Sequence, residues 1–150
     1  PRCSTTTPRD ISKVDPMKYN NKQFVRWDDL DAFGHVNNAK YLIFAQEARF
    51  HWSFVQFEGR EDRPSIGEMV VAKAEVDFLE PIYDGGIYVD VDLWVESIGN
   101  SSFILIYEIS KDGKIFARVK TVQVAVSMET KRSRPLNEAE REFLNKYLEK

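Results

Sequence analysis

One cysteine in 150 residues excludes an internal disulfide, because Cys3 has no partner within the chain, and favours a reducing compartment. A basic excess is missing too: 21 Lys and Arg stand against 24 Asp and Glu, for a net charge of -3. General nucleic-acid binding needs a concentrated basic surface, so no nucleic-acid partner is expected. No apolar run approaches the ~18–20 residues of a membrane span. The opening PRCSTTTPRD lacks the apolar stretch of a secretion signal. The expected address is therefore cytoplasmic, without a membrane partner. Histidine is scarce as well. Two histidines and one cysteine at these spacings form no ligand cluster, so no metal is expected.

What remains is an ordinary globular composition, 43% hydrophobic and 30% charged. A chain of this length fits one domain that can bury roughly 68–70% of its unfolded surface. Residues 1–20 are polar, carry Pro8 and Pro16, and read as a flexible lead-in. Residues 21–150 read as a single domain.

NKQFVRW (21–27) is a short strand. From Asn38 to Phe57, Tyr41, Phe44, Ala45, Ala48, Trp52 and Val55 recur at helical steps. Leu42, Ile43, Phe50 and Phe54 widen that stripe until little polar face is left, which predicts a largely buried helix. Gly59 is a plausible stop. After Pro64 the pattern becomes alternation. Val70, Ala72, Ala74, Val76 and Phe78 oppose Lys73, Glu75 and Asp77; Ile87, Val89, Val91, Leu93 and Val95 oppose Asp90, Asp92 and Glu96. SFILIYEIS is apolar on both faces, and Asp112-Gly113 marks a tight hairpin. In IFARVKTVQVAVSM the apolar parity slips between Val119 and Val122, which predicts a bulge. Asn137 with Glu140 three residues on forms a capping-box start for a last helix.

Short connections imply a mostly antiparallel sheet with one apolar face, and the apolar helix is the partner for that face. The predicted class is α+β, a hot-dog arrangement: a curved sheet wrapped around a long central helix, plus a C-terminal helix. A single such sheet has open edges, which predicts a homodimer or a homotetramer.

Between the first strand and the helix, WDDLDAFGHVNNAKY (27–41) follows neither period. Gly34 and two asparagines suit a tight loop. The amides near Val36 to Asn38 fall in the helix's first turn, where they lack intrahelical acceptors and can polarise a carbonyl oxygen. Asp31, three residues before Gly34, can attack the polarised carbon or activate water to do so.

DLDAFGHVNNAKY followed by QEAR, then VDFLEPIYDGG, IGNSSF, VKTVQVAV and RPL, resemble the 4-hydroxybenzoyl-CoA thioesterase branch of the hot-dog superfamily over residues 22–136. The resemblance implies hydrolysis of an acyl-CoA thioester, with coenzyme A at a subunit interface and no separate cofactor. It places the essential aspartate on Asp31 and the polarising amide at or near Asn38. Some family members carry a histidine at the Asn38 position and none at His35. The arrangement here is the reverse, which argues against an acid–base role for His35. Substrate contacts are expected from Gly34, His35, Val36, Asn37, Tyr41 and Ser102, and from Lys131, Arg132 and Arg134 toward the coenzyme A phosphates. Asp28 and Asp29 read as structural or solvated. Glu47, on a buried helix, must be paired, and His51 serves packing. Two other readings stand beside hydrolysis of acyl-CoA: a non-catalytic acyl-thioester binding protein, and a thioesterase acting on acyl-carrier-protein substrates.

Overall fold

The computed structural model describes residues 17–61 and 66–150. Cys3, Pro8, Pro16 and Pro64, with most of the expected lead-in, lie outside them. Strand β1 is Tyr19–Phe24 and begins inside the expected lead-in. A 3-10 turn, Trp27–Asp29, follows, then helix α1, Lys40–Ser53, and a second 3-10 turn, Val55–Phe57. Strands β2 (Met69–Phe78), β3 (Tyr88–Ile98), β4 (Ser102–Lys111) and β5 (Lys114–Ala125) complete the sheet, and helix α2 (Glu138–Asn145) closes the chain. The strands run in the order β1-β3-β4-β5-β2, every pairing antiparallel. This is the hot-dog architecture expected of the sequence. Among the described residues no helix is long and apolar enough to cross a membrane.

The sheet's inner face is built by alternate residues. Val89, Val91, Leu93 and Val95 of β3, and Phe103, Leu105, Tyr107 and Ile109 of β4, meet Tyr41, Phe44, Ala45, Ala48 and Trp52 of α1. Each large side chain so buried contributes about 1.5–3 kcal/mol. Asp112 and Gly113, at φ 50 and 82, form the predicted hairpin. The capping box of α2 is present: Asn137 Oδ1 accepts from the Glu140 N–H at 2.8 Å, and Glu140 Oε1 accepts from the Asn137 N–H at 3.0 Å. The backbone after α2 lies along β3 where β1 has ended. There Val95 N–H donates to Tyr147 and Glu149 N–H to Val95.

Three expectations are corrected. Helix α1 is not buried all round: Leu42, Ile43, Phe50 and Phe54 lie on an open face, because one chain's sheet covers only one side of it. Strand β5 pairs with β4 without a break from Val119 to Val122. The apolar parity slips there because polar residues, Thr121 and Gln123, occupy inward positions, both almost fully buried. The bulges fall elsewhere, at Ala72 in β2, Glu96 in β3 and Phe116 in β5. The bulge at Ala72 also resets the facing of β2. Ala74, Val76 and Phe78 oppose inward residues of β5, whereas Val70 opposes Val124 and faces outward.

Candidate active site

The loop before α1 is closed by its own backbone. Leu30 bridges to Val36, Asp31 N–H donates to the His35 carbonyl at 2.9 Å, and Gly34 N–H donates to Asp31 at 3.0 Å. The reversal needs a left-handed residue, supplied by Gly34 at φ 79. Asp29 anchors the loop. Its buried carboxylate accepts from the Arg26 amide at 2.8 Å and the Arg26 guanidinium at 3.0 Å, with Lys40 at 3.9 Å. Asp28 is exposed. Both match their structural reading.

The three amides near the helix start do not share one state. Val36 N–H donates to the Ile82 carbonyl and Asn37 N–H to the Asp29 carbonyl, each at 2.8 Å. Asn37 in turn braces the turn that leads into the helix: its side-chain oxygen accepts from Ala39 N–H at 3.0 Å and its carbonyl from Lys40 N–H at 2.9 Å. Only the Asn38 N–H has no acceptor among the described residues. It sits just before the first turn of α1 rather than inside it. Asn38 lines a cavity of about 250 Å³ with His35, Val36, Tyr41, Phe78, Leu79, Glu80 and Pro81. Burial pushes the Tyr41 hydroxyl's pKa upward.

Asp31 does not itself line this cavity but lies 3.8 Å from His35, which does. One carboxylate oxygen accepts from Phe33 N–H at 2.9 Å; the other lies 3.4 Å from the Asn37 side-chain amide. The His35 ring nitrogen is 3.8 Å from Asp31 but 3.2 Å from the Val36 carbonyl, to which only an N–H can donate. The His35 ring also stacks on Phe33 and meets Tyr83 edge-on. Asn37 thus links the carboxylate to the helix start, one residue before the open amide.

With this loop placed before a helix and under an antiparallel sheet, the comparisons with known proteins identify the family. The family model for the thioesterase-like superfamily matches residues 25–144. The chain belongs to the thioesterase-like superfamily. It is accordingly a thioester hydrolase. It is 24% identical over 131 residues to a 1,4-dihydroxy-2-naphthoyl-CoA hydrolase of Synechococcus, covering 84% of this chain and 94% of that one. A Thermus thermophilus thioesterase solved with coenzyme A and zinc is 34% identical, with a TM-score of 0.72 over 84% of this chain and 90% of that one. A 1,4-dihydroxy-2-naphthoyl-CoA thioesterase of Synechocystis shares the fold, at 22% identity and a TM-score of 0.69 over 85% and 96% of the two chains. Among the described residues of this thioesterase there is no group of three His, Cys, Asp or Glu that could hold a metal ion.

The other residues singled out in the sequence lie at the far end of the sheet. Ser102 opens β4, and its carbonyl accepts from Gly99 N–H at 2.7 Å across the hairpin. Lys131, at φ 60, and Arg132 are exposed in a loop closed by hydrogen bonds to Ser127, and neither has an ion pair among the described residues. Arg134 differs from them. Its guanidinium forks onto the fully buried Glu140 at 2.8 and 3.2 Å and donates to the Val126 carbonyl at 3.0 Å. The expectation that it contacts substrate phosphate gives way to a structural one, because its fork already has a carboxylate.

Glu47 is exposed, with no ion pair among the described residues. The expectation that it must be paired fails with the expectation that α1 is buried all round. His51 packs as expected, stacked on Tyr19 and hydrogen-bonded to its hydroxyl. One feature escaped the sequence reading. A larger cavity, about 690 Å³, runs along the second half of α1 between Gln46 and Phe54, floored by Phe103 and Gln123. Its signal in the sequence was the parity slip in VKTVQVAV, which puts polar side chains into the core.

Proposed function

We propose that this protein hydrolyses acyl-CoA thioesters, with Asp31 as the catalytic carboxylate and the Asn38 N–H as the donor that polarises the thioester carbonyl. The observation that carries the reading is the Asn38 amide, left without an acceptor beside a cavity while its neighbours' amides are used. Such a donor contributes about 10²–10³-fold to acyl transfer. A carbonyl seated on it brings the acyl carbon toward Asp31, which either attacks that carbon or takes a proton from an attacking water. Water and these two groups suffice, so no resident cofactor is invoked. His35, Val36 and Tyr41 line the acyl entrance, and Gly34 and Asn37 hold its shape. The exposed Lys131 and Arg132, joined by Ser102 from the adjoining hairpin, lie at the far end of this chain's own sheet and are therefore assigned to the coenzyme A arm and phosphates of a site shared with a second copy.

A second copy completes the enzyme. Strand β2 is a sheet edge with Val70, Val71 and Phe78 open to solvent, and α1 exposes Leu42, Ile43, Phe50 and Phe54 beside it. Apolar surface next to an unpaired edge is the signature of a self-pairing interface. The test of the proposed activity is free-thiol release from a panel of acyl-CoA esters. Turnover of at least one class is expected, and release no faster than the uncatalysed rate across the panel would remove the proposal.

A further inference from the structure

The larger cavity contains a charge that the proposed hydrolysis does not use. Its inner wall is a polar chain set into an apolar core. Gln123 donates to Thr121 Oγ1 at 2.9 Å, Thr121 donates to the Tyr107 hydroxyl at 3.3 Å, and Arg49 Nη1 donates to the same hydroxyl at 3.1 Å. Tyr107, Thr121 and Gln123 are at most 2% exposed, so this arrangement is fixed by packing. Arg49 lines the cavity, half-buried, and no carboxylate pairs with it among the described residues. Glu47 is the other charged group lining the cavity; it is exposed and forms no ion pair with Arg49. A guanidinium withdrawn from water without a counter-charge is costly, and an anionic oxygen presented to its remaining N–H groups relieves that cost.

We propose that this cavity receives the acyl group and that Arg49, held by Tyr107, selects acyl chains ending in an anionic oxygen such as a carboxylate. The inference rests on the thioesterase reading and names the substrate class for it. The volume suits such a ligand, since small-molecule sites span about 300–1,000 Å³. The other lining residues are mixed in a way that fits a chain with a polar end: Phe50, Phe54, Ile66, Met69 and Phe103 offer apolar wall. Along the helix axis Arg49 lies ~16 Å from Asn38. Within one chain, that distance favours a long acyl group over a short one.

The experiment uses matched acyl-CoA pairs of short, medium and long chain, one member ending in methyl and the other in carboxylate. The readouts are kcat/KM by thiol release, and Kd by calorimetry with the thioether analogues of the same pairs. The expected result is a preference for the carboxylate member of at least ~10-fold at the fitting length, the scale of a charge-assisted hydrogen bond. In Arg49→Met that ratio falls to near one, and Arg49→Lys keeps part of it. A wild-type ratio at or below one overturns the proposal. So does a ratio that survives Arg49→Met, or an equal loss for both members and for free coenzyme A. If Arg49→Met fails to fold by circular dichroism, the wild-type ratio and a reduced ratio in Gln123→Leu decide. Calorimetric preference without thiol release from any ester would overturn the hydrolase reading and leave this one standing.

Discussion

Replacing Arg134 by methionine separates two roles that the sequence alone could not. Glu140 is fully buried and receives two hydrogen bonds from the Arg134 guanidinium, at 2.8 and 3.2 Å, and one from the Asn137 amide at 3.0 Å. Arg134→Met keeps the apolar stem but leaves that carboxylate with a single donor. Breaking a buried pair from one side costs about 3–5 kcal/mol, because the remaining charge is uncompensated. At about 2–4 °C per kcal/mol for a domain of this size, Tm should fall by roughly 6–20 °C. The double replacement Arg134→Met with Glu140→Leu removes both charges and should recover much of the loss. Thermal unfolding followed by circular dichroism measures both variants. For the folded fraction of Arg134→Met, KM for acyl-CoA should stay near the parent's, since the guanidinium is already engaged. A Tm within about 2 °C of the parent together with a raised KM would refute the reasoning and return Arg134 to the phosphate site.

Two further outcomes rest on the same structure. Burial and the nearby Tyr147 push the Tyr19 pKa up to about 12, and burial raises those of Tyr41 and Tyr107 as well. An unfolded tyrosine ionises near pH 10, so the stability held by the protonated Tyr19 hydroxyl is complete below ~10 and lost as pH rises toward ~12, with Tyr41 and Tyr107 adding to the loss above ~10. Urea midpoints across that range should drop, and Tyr19→Phe should flatten the drop; a flat parental curve would count against it. Val71→Lys on the open edge of β2, or Phe50→Glu on the open face of α1, should shift sedimentation from dimer toward monomer. A parent that is monomeric at assay concentration would contradict the interface.

Where local chemistry decides structure, the sequence was legible. The Asp112-Gly113 hairpin, the Asn137–Glu140 capping box and the Gly34 reversal depend on a few adjacent residues and stand where they were expected. Antiparallel pairing and the β3-β4-β5 succession followed from alternation and short turns; the seating of β2 beside β5, and of β1 beside β3, did not, because those partners are far apart in the chain. Facing was harder, because it depends on what the other side touches. Phe50 and Phe54 read as core, yet their cover is absent from a single chain. Thr121 and Gln123 read as a bulge, yet they are inward polar residues bonded to each other and, through Thr121, to Tyr107 of β4, whose hydroxyl also accepts from Arg49 of α1. At the candidate site, the motif pointed to Asp31 and to amides near Asn38. It could not say which amide stays open, since that turns on acceptors from Ile82 and Asp29. The role of Arg134 was hidden in the same way, behind a partner six residues away on α2.

The central claim is that Asp31 supplies the reacting carboxylate beside a carbonyl held by the Asn38 amide. Asp31→Asn keeps the side chain's shape and an oxygen able to accept from Phe33 N–H, but removes the basic and nucleophilic charge. Its kcat for the best acyl-CoA is the most direct measurement. Removal of a general base or nucleophile predicts a fall of at least about 10²-fold, with Tm and the Kd for a thioether analogue little changed. An Asp31→Asn enzyme that releases thiol as fast as the parent would contradict the account.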